Sequence, residues 1–450
     1  MTKDEVVKKA KEQGVKLVFF LYCDNANLIR GKAVNATRLA GRLESGVGLT
    51  VAQQAAADME VMAKIPGMSA AGEARIMPDP STYVQMPWAP SRGMVIGDLA
   101  QLDGTEWACP RTFLKRMVAR AEQAGLRIMI GLEPEWYVAR LEDGKYVPLE
   151  HSQSFHMLGT NFYIPFIDEV IATLEQMGMQ VETYYTETGP GHQEIALRYG
   201  DALRSADNHV YYREAVRGVA LKHGLYASFT PKPFPAEAGA GCHVHLSAWD
   251  KKGERNLFYA SKKQYALSEV GWQFLAGVME HLPGLMALTC PSVNSYRRIG
   301  LGSWAGSHLC YGPDNRAAAI RIPSTYRGNE MGSANIEVKV TDNSSNPYLA
   351  IGGIIAAGLD GIARGLNPKP GQNLDADPMD VPEAELARRG IVRLPMDVAE
   401  AVEELEKDTF LTDAMGPLLA DSYIAVRKAE WEHFAKRDDA FELERHFYKY

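Results

Sequence analysis

The sequence predicts an α+β chain in two parts, a small module over residues 1–106 and a large one over residues 107–450. Two observations carry this. Short strand-like runs broken by Pro and Gly fill most of the first hundred residues, whereas from Arg111 onward strands mix with long apolar helices. Several of the later strands also carry polar groups at a period of two, with apolar residues on the alternate positions. In the first part, residues 4–13 have helical spacing, and residues 16–23 read as a strand. Residues 28–34 read as its hairpin partner across the turn Asp24-Asn-Ala-Asn27, and residues 35–45 as a helix entered from an Asn/Thr cap. Arg75-Ile-Met77 and Met94-Val-Ile96 are strand pieces, and Ala108-Cys-Pro-Arg111 marks the boundary.

In the second part, residues 112–123 form a helix with Phe113, Met117 and Ala121 on one face, stopped by Gly125. A buried strand follows over residues 126–138. Residues 162–177 read as a helix ended by Gly178, and residues 181–187 and 192–199 as a hairpin about Thr188-Gly-Pro-Gly191. Residues 206–223 are helical and 241–248 extended. Residues 264–281 and 347–366 are long apolar helices, and residues 395–407 and 422–435 are helical.

The charge balance excludes some partners. A net charge of −8 provides no footprint for nucleic acid or for anionic lipid. Five cysteines without a C-x-x-C pair fit a reducing compartment, and no stretch approaches the roughly 20 apolar residues of a membrane span, so a cytoplasmic location is expected.

The chemistry centres on Gly131-Leu-Glu-Pro-Glu-Trp136. On a strand, Glu133 and Glu135 share a face, and at about 6 Å two carboxylates repel by about 3 kcal/mol at an effective dielectric near 20. One such pair could be a solvated strand end, but four further segments repeat the pattern. Glu187 and Glu194 flank the Gly-Pro-Gly turn and are expected to face each other across the hairpin. His243 and His245 share one face of Cys242-His-Val-His-Leu246, and Glu337 and Lys339 one face of Asn335-Ile-Glu-Val-Lys-Val340. Glu133, Glu135, Glu187, Glu194, Glu337 and His243 together are hard donors for two or three Mg²⁺ or Mn²⁺ ions, the kind of site that handles phosphoryl groups. Asn294-Ser-Tyr-Arg-Arg298, Asn315-Arg316 and Ile320-Arg-Ile-Pro323 add guanidinium forks for carboxylate or phosphate, though any one of them could be a surface ion pair. No G-x-x-x-x-G-K-[ST] is present, so a P-loop is excluded. A Cys242–His243 nucleophile fails because adjacent strand residues face opposite ways.

Gly131-Leu-Glu-Pro-Glu135, Glu187…Pro190-Gly…Glu194, Pro231-Lys-Pro233, Gly239…His243-Val-His-Leu-Ser247, Asn294-Ser-Tyr-Arg-Arg298, Asn315-Arg316, Ile320-Arg-Ile-Pro323, Ile336-Glu-Val338 and Asn346-Pro-Tyr348 occur in this order. From about residue 15 to the C-terminus the chain resembles the glutamine synthetase family. The resemblance implies a β-grasp-like N-terminal domain and a catalytic domain with a curved antiparallel sheet backed by helices. It implies one metal on Glu135, Glu187 and Glu194, and a second on Glu133, His243 and Glu337. Glu182, His245 and Ser247 stand where the family contacts ATP, Arg316 and Arg321 at its phosphates, and Gly239 and Arg298 at the amino acid. It also implies phosphorylation of the γ-carboxylate of glutamate and attack by an amine, with Glu135, Arg298, Arg316 and Lys339 as the catalytic set. Sites between subunits of a homo-oligomer, a dodecamer of two stacked hexameric rings, follow from the same resemblance.

Departures from the family pattern bear on the amine. The family's Asp-Gly-Ser-Ser latch corresponds here to Gly48-Leu-Thr-Val-Ala-Gln53, without a carboxylate, and the Glu that closes the ammonium pocket corresponds to Trp304. Loss of both acids points to a substituted amine, methylamine or a similar alkyl or aryl amine, as in the γ-glutamylmethylamide synthetases, with Trp304 lining the amine pocket. Lys339 stands in place of Arg, Ala238 of Asn, His192 of Gln and Asn335 of Arg. Asn373-Leu-Asp-Ala376 lacks the tyrosine that some relatives adenylylate. The rival readings are an ammonia-using glutamine synthetase and a non-catalytic relative, the latter disfavoured because all six expected metal positions are filled.

Overall fold

The alternation of apolar and polar residues along the extended segments resolves into two sheets. The computed structural model describes residues 1–57, 61–300 and 303–450. Helix α1 (Lys3–Glu12) starts from a Thr2/Glu5 capping box and leads into β1 (Leu17–Cys23), which turns back as β2 (Ile29–Asn35). The segment 35–45 is split: Asn35 caps one 3₁₀ turn, and α2 (Leu39–Ser45) follows. Strands β3 (Val47–Thr50), β4 (Glu73–Pro78), β5 (Val84–Gln85) and β6 (Arg92–Ala100) complete a sheet in the order β2-β1-β6-β4-β3, with β5 also on β6 and only the β1–β6 pair parallel. Both faces of β1 are used. Val18, Phe20 and Tyr22 pack in the core of this β-grasp-like module, while Leu21 and Cys23 join the large core beside α3 (Pro110–Gln123).

The second sheet is curved, wraps around β7 (Arg127–Glu142), and runs β14-β15-β16-β13-β7-β10-β9. Its members are β8 (Lys145–Pro148), β9 (Val181–Thr186), β10 (His192–Leu197), β11 (Gly200–Asp201), β12 (Tyr226–Ser228), β13 (Cys242–Trp249), β14 (Tyr311–Pro313), β15 (Ile320–Ile322) and β16 (Ile336–Val338). At 16 residues β7 is long enough to pair with β13 along its first half and with β10, β12 and β8 along its second. Helices α4 (Met157–Gln176), α5 (Ala202–Lys222), α6 (Glu269–Thr289), the single turns α7 (Ser295–Arg298) and α8 (Glu330–Ser333), and α9 (Pro347–Arg364) accompany it. The C-terminal third adds α10 (Glu383–Arg388), α11 (Val398–Lys407), α12 (Thr409–Met415), α13 (Pro417–Phe434) and α14 (Asp439–Lys449).

Several helix starts differ from the sequence expectation: α5 begins at Ala202, not 206, and α13 at Pro417, not 422, and two others have a local feature of note. Helix α4 begins at Met157, not 162, and runs through Pro165, whose missing N–H and ring usually mark a helix start. Helix α6 begins at Glu269, not 264, because Tyr265 and Ala266 take left-handed φ values of 52° and 54°; Ser268 then caps it by accepting from Gly271 N at 3.1 Å. Among the described residues no helix is long and apolar enough to cross a membrane.

The parts are joined by buried charge. Arg111 on α3 donates to Asp79 and Asp98 beside the first sheet and to Asp207 on α5, each at 2.8–2.9 Å. Behind the second sheet, α6 and α9 approach through glycines. A Cβ at Gly361 would sit 2.1 Å from Gln273 O, and one at Gly277 would sit 2.2 Å from Ala357 O. Backbone cannot yield as a side-chain tip can. Gly361→Ala is therefore expected to destabilise the protein by about 1–3 kcal/mol, against the stabilising sign of helix propensity. A denaturant midpoint that rises in the variant would overturn this packing.

Candidate active site

Cross-strand register assembles the site. Going across the sheet, Arg321 on β15 lies opposite Glu337 on β16, and Glu337 opposite His245 on β13. His243, two residues along β13, lies opposite Glu133 on β7, and Glu135 lies opposite Glu194 on β10. Because directly opposed residues share a face, five strands deliver one polar row. The other face is core: Leu132 and Trp136 on β7 are buried, and Trp136 Nε1 donates to Tyr212 Oη at 2.8 Å. The expected pairing of Glu187 with Glu194 is corrected by the register. Tyr185 lies opposite Glu194, and Glu187, two residues on, opposes His192 through its backbone, so the two acids are diagonal neighbours on one face.

The donors converge. Glu133, His245 and Glu337 each place a ligand atom within 4.8 Å of the others. His245 Nε2 is 3.2 Å from Glu133, and His243 Nδ1 is 3.5 Å from Glu133 and 3.4 Å from Glu337. His243 Nε2 lies 3.8 Å from Glu135 and 3.3 Å from both Arg298 Nη2 and Lys339 Nζ. Arg321 Nη1 donates to Glu337 at 2.8 Å, and Lys339 Nζ lies 3.4 Å from the same carboxylate. Glycine makes this density possible. A Cβ at Gly241 would lie 2.6 Å from Arg298 Nη2 and 3.0 Å from Glu135 and His243, and one at Gly239 would lie 2.5 Å from the Arg298 stem.

The electrostatics divide the row into two ends. At the β13–β16 end, burial would raise the acids, yet His245 and His243 hold Glu133 well below the carboxylate range. Against the same burial, His245 and Lys339 hold Glu337 down to about 2. His245, against its own burial, is raised to about 9 by Glu133 and Glu337. Glu135, despite burial, is held to about 2 by His192 and His243. At the hairpin end the sign reverses: burial and the neighbouring Glu135 raise Glu187, and burial with Glu135 and Glu133 raises Glu194 well above the usual range. Tyr185 Oη donates to Glu194.

A set of buried carboxylates and imidazoles in which like charge holds two acids up is the donor chemistry of a hard divalent ion. Arg298 Nη1 and Arg321 Nε are buried without a hydrogen-bond partner, the state expected of donors awaiting an anion. The residues present thus fit divalent ions and anionic substrates.

Other expected site residues stand apart from the row. Ser247 is buried on the same face and accepts from Trp249 Nε1 at 2.9 Å. Glu182 is exposed where the β9–β10 register shifts, and Arg316 is exposed beyond β14; among the described residues neither makes a hydrogen bond or ion pair. Trp304 is 64% exposed with a left-handed φ of 52°. Residues with no role assigned from the sequence also contribute. His192 packs against Glu135, Asn335 Oδ1 contacts His245 Nδ1 at 2.9 Å, and Asn343 Nδ2 ties Glu135 O to Gly241 O. His192 was legible by the same period-two rule, since it precedes Glu194 by two on one strand.

Among solved structures, the chain is similar to the γ-glutamylmethylamide synthetase GmaS in complex with ADP, at 29% identity and a TM-score of 0.85 over 97% of this chain and 98% of that one. Among curated proteins it is 37% identical to a glutamine synthetase of Thermococcus kodakarensis, covering 82% of this chain and 84% of that protein. It is 34% identical to a γ-glutamylpolyamine synthetase of Streptomyces coelicolor, over 93% and 90%. The model of the glutamine synthetase catalytic domain matches residues 107–446 and that of the glutamine synthetase N-terminal domain residues 1–107. On the ordered site row and these matches, the chain belongs to the glutamine synthetase family of ATP-dependent carbon–nitrogen ligases.

Proposed function

We propose that this ligase joins the γ-carboxylate of glutamate to a substituted primary amine, methylamine or a related alkyl or aryl amine, through γ-glutamyl phosphate. The observation that carries the amine assignment is the absence of acid where an ammonium ion would need it. Gly48-Leu-Thr-Val-Ala-Gln53 has no carboxylate, and position 304 is a Trp. Glu73 on β4 does reach over Gly48, but Arg75 Nη1 already holds that carboxylate. An uncharged, partly aromatic pocket favours the apolar face of an alkylammonium over a small, strongly hydrated ammonium. Similarity to GmaS and to a polyamine-using synthetase supports the same reading.

In this mechanism Glu135, Glu187 and Glu194 would hold one divalent ion, and Glu133, His243 and Glu337 a second, with His245 and Ser247 toward the nucleotide. Mg²⁺ or Mn²⁺, when bound, neutralises charge on the phosphoryl oxygens. The free Nη1 of Arg298 holds the α-carboxylate of glutamate against Gly239, which lets the substrate approach because it has no side chain. A γ-carboxylate oxygen attacks the terminal phosphorus of ATP, the bond to the bridging oxygen breaks and ADP leaves, which converts a poor electrophile into an acyl phosphate. Arg316, Arg321 and Lys339 stabilise negative charge on the transferring group. The unprotonated amine nitrogen then attacks the acyl carbon, the bond to the phosphate oxygen breaks, and the departing phosphate takes the proton the nitrogen loses.

Glutamine synthetase activity with ammonia is the second reading, favoured by the curated relatives that bear that name. Phosphate release with glutamate, ATP and either ammonium or methylamine separates the two. The alkylamine is expected to have the higher kcat/KM by about tenfold or more, the discrimination one methyl contact supplies; a clear preference for ammonium refutes the proposal.

The raised Glu194 provides a test of the ion site. Its folded pKa lies above the unfolded value, so its ionised form costs stability at neutral pH, and the cost disappears as pH falls through that raised pKa toward the ordinary one. Without ions at neutral pH, Glu194→Gln is expected to melt a few degrees higher than the wild type. With Mn²⁺ at 100 times its Kd the wild type should gain about 2.7 kcal/mol and overtake the variant. Equal responses of the two proteins to Mn²⁺ would remove Glu194 from the site.

The family arrangement also supports a homo-oligomer, two stacked hexameric rings, which would bury the exposed Phe155, Met157, Leu158 and Phe162 at the start of α4. Light scattering is expected to find about twelve chains per particle; a stable monomer in active solutions would exclude it.

A further inference from the structure

His192 is one of the most enclosed polar groups at the site, at 1% exposure, and its ring is held on two sides. It stacks on Tyr137 with ring centroids 4.4 Å apart and planes 6° from parallel, and Tyr137 is itself anchored by donating to Ala238 O at 2.6 Å. His192 Nδ1 lies 2.9 Å from Thr188 O. A carbonyl oxygen can only accept, so Nδ1 carries a ring proton, and Nε2 is the nitrogen that either a proton or a metal ion can occupy. That nitrogen faces a carboxylate oxygen. Nε2 lies 3.3 Å from Glu135 Oε2 and is buried with no hydrogen-bond partner, while the same oxygen accepts from Gly241 N at 2.9 Å.

In a closed site this nitrogen and oxygen need a cation between them, a proton or a metal ion. The spacing accommodates a metal ion: ligands at right angles on an ion with bonds of about 2.1 Å are about 3.0 Å apart, close to the 3.3 Å observed. His192 also points from the same hairpin strand and the same face as Glu194, and through its backbone it opposes Glu187. The two other acids of this end are therefore its immediate neighbours.

We infer that His192 is a metal ligand, donating Nε2 to the divalent ion shared by Glu135, Glu187 and Glu194, so that this ion has a nitrogen as well as oxygen donors. The inference rests on reading the carboxylate row as an ion site. It gives each of the two ions one imidazole, His192 on one side of Glu135 and His243 on the other. A nitrogen donor favours a transition ion such as Mn²⁺ over Mg²⁺.

The test uses the full-length protein loaded with one and then two equivalents of Mn²⁺, with electron spin-echo envelope modulation to detect nitrogen bound directly to the ion. In the wild type both ions are expected to carry a histidine nitrogen, and His192→Gln is expected to leave one ion with oxygen ligands only. Calorimetry should find Mn²⁺ affinity in His192→Gln reduced by about tenfold or more, and Mg²⁺ affinity reduced less. If the variant does not fold, the wild-type spectra alone decide, since an ion with only oxygen ligands at either occupancy overturns the assignment. Unchanged nitrogen couplings in His192→Gln overturn it equally, and would leave the imidazole as a proton-bearing partner of Glu135. Failure of the wild type to bind Mn²⁺ at all is a different result, and sinks the ion site itself.

Discussion

The constraint on which the structure turns is the repulsion among five carboxylates on one face of a sheet. At 4 Å and an effective dielectric of 20, each close pair costs about 4 kcal/mol, enough that two or three uncompensated pairs would consume the stability of a typical domain. The chain offsets this unevenly. Around Glu133 and Glu337 it places two imidazoles, Lys339 and Arg321, and those acids stay ionised. Around Glu187 and Glu194 it offers a phenol hydroxyl and a backbone N–H, and those acids are pushed toward the protonated form. The difference in environment, rather than the number of acids, distinguishes an end that is nearly neutral in itself from one that depends on an added cation.

Holding such a row requires a rigid back. The apolar positions of β7 and β13 share one core with α3, α5, α6 and α9, and the glycine contact between α6 and α9 allows two helices to approach more closely than side chains would permit. The front is held by loop side chains that bond to the backbone of the strands and turns. Glu150 accepts from Gly191 N and Tyr163 Oη and so fixes the hairpin turn that carries Glu187 and His192. Asn343 fixes Gly241 against Glu135. These contacts lie outside the row, yet they set the distances within it, which is why a site of strand residues can be precise.

The strands and their polar faces were legible because a period of two survives any tertiary context, and the six proposed metal ligands were found that way. What was not legible depended on register and backbone conformation. Whether Glu187 meets Glu194 directly is decided by the Gly189–Gly191 turn, and the left-handed Tyr265 and Ala266 have no compositional signature. His192 was visible as a substitution for Gln but carried no role until Thr188 O and Glu135 fixed its two nitrogens. Glu182 and Arg316, assigned through family resemblance, make no bond here that would have identified them from the protein alone.

The same physics bears on why one scaffold can serve different amines. Phosphoryl transfer needs the row, and the row tolerates little change because each member sets the ionisation of the next. On the proposed reading the amine would arrive from outside the row, at segments that carry no part of that balance: β3 with its Gly48, and the loop carrying Trp304, whose ring is exposed. Replacing acid by aromatic or aliphatic groups there would alter which nucleophile is retained without disturbing the charges of the row. On that reading selectivity and activation are separable, the first carried by the rim and the second by the sheet.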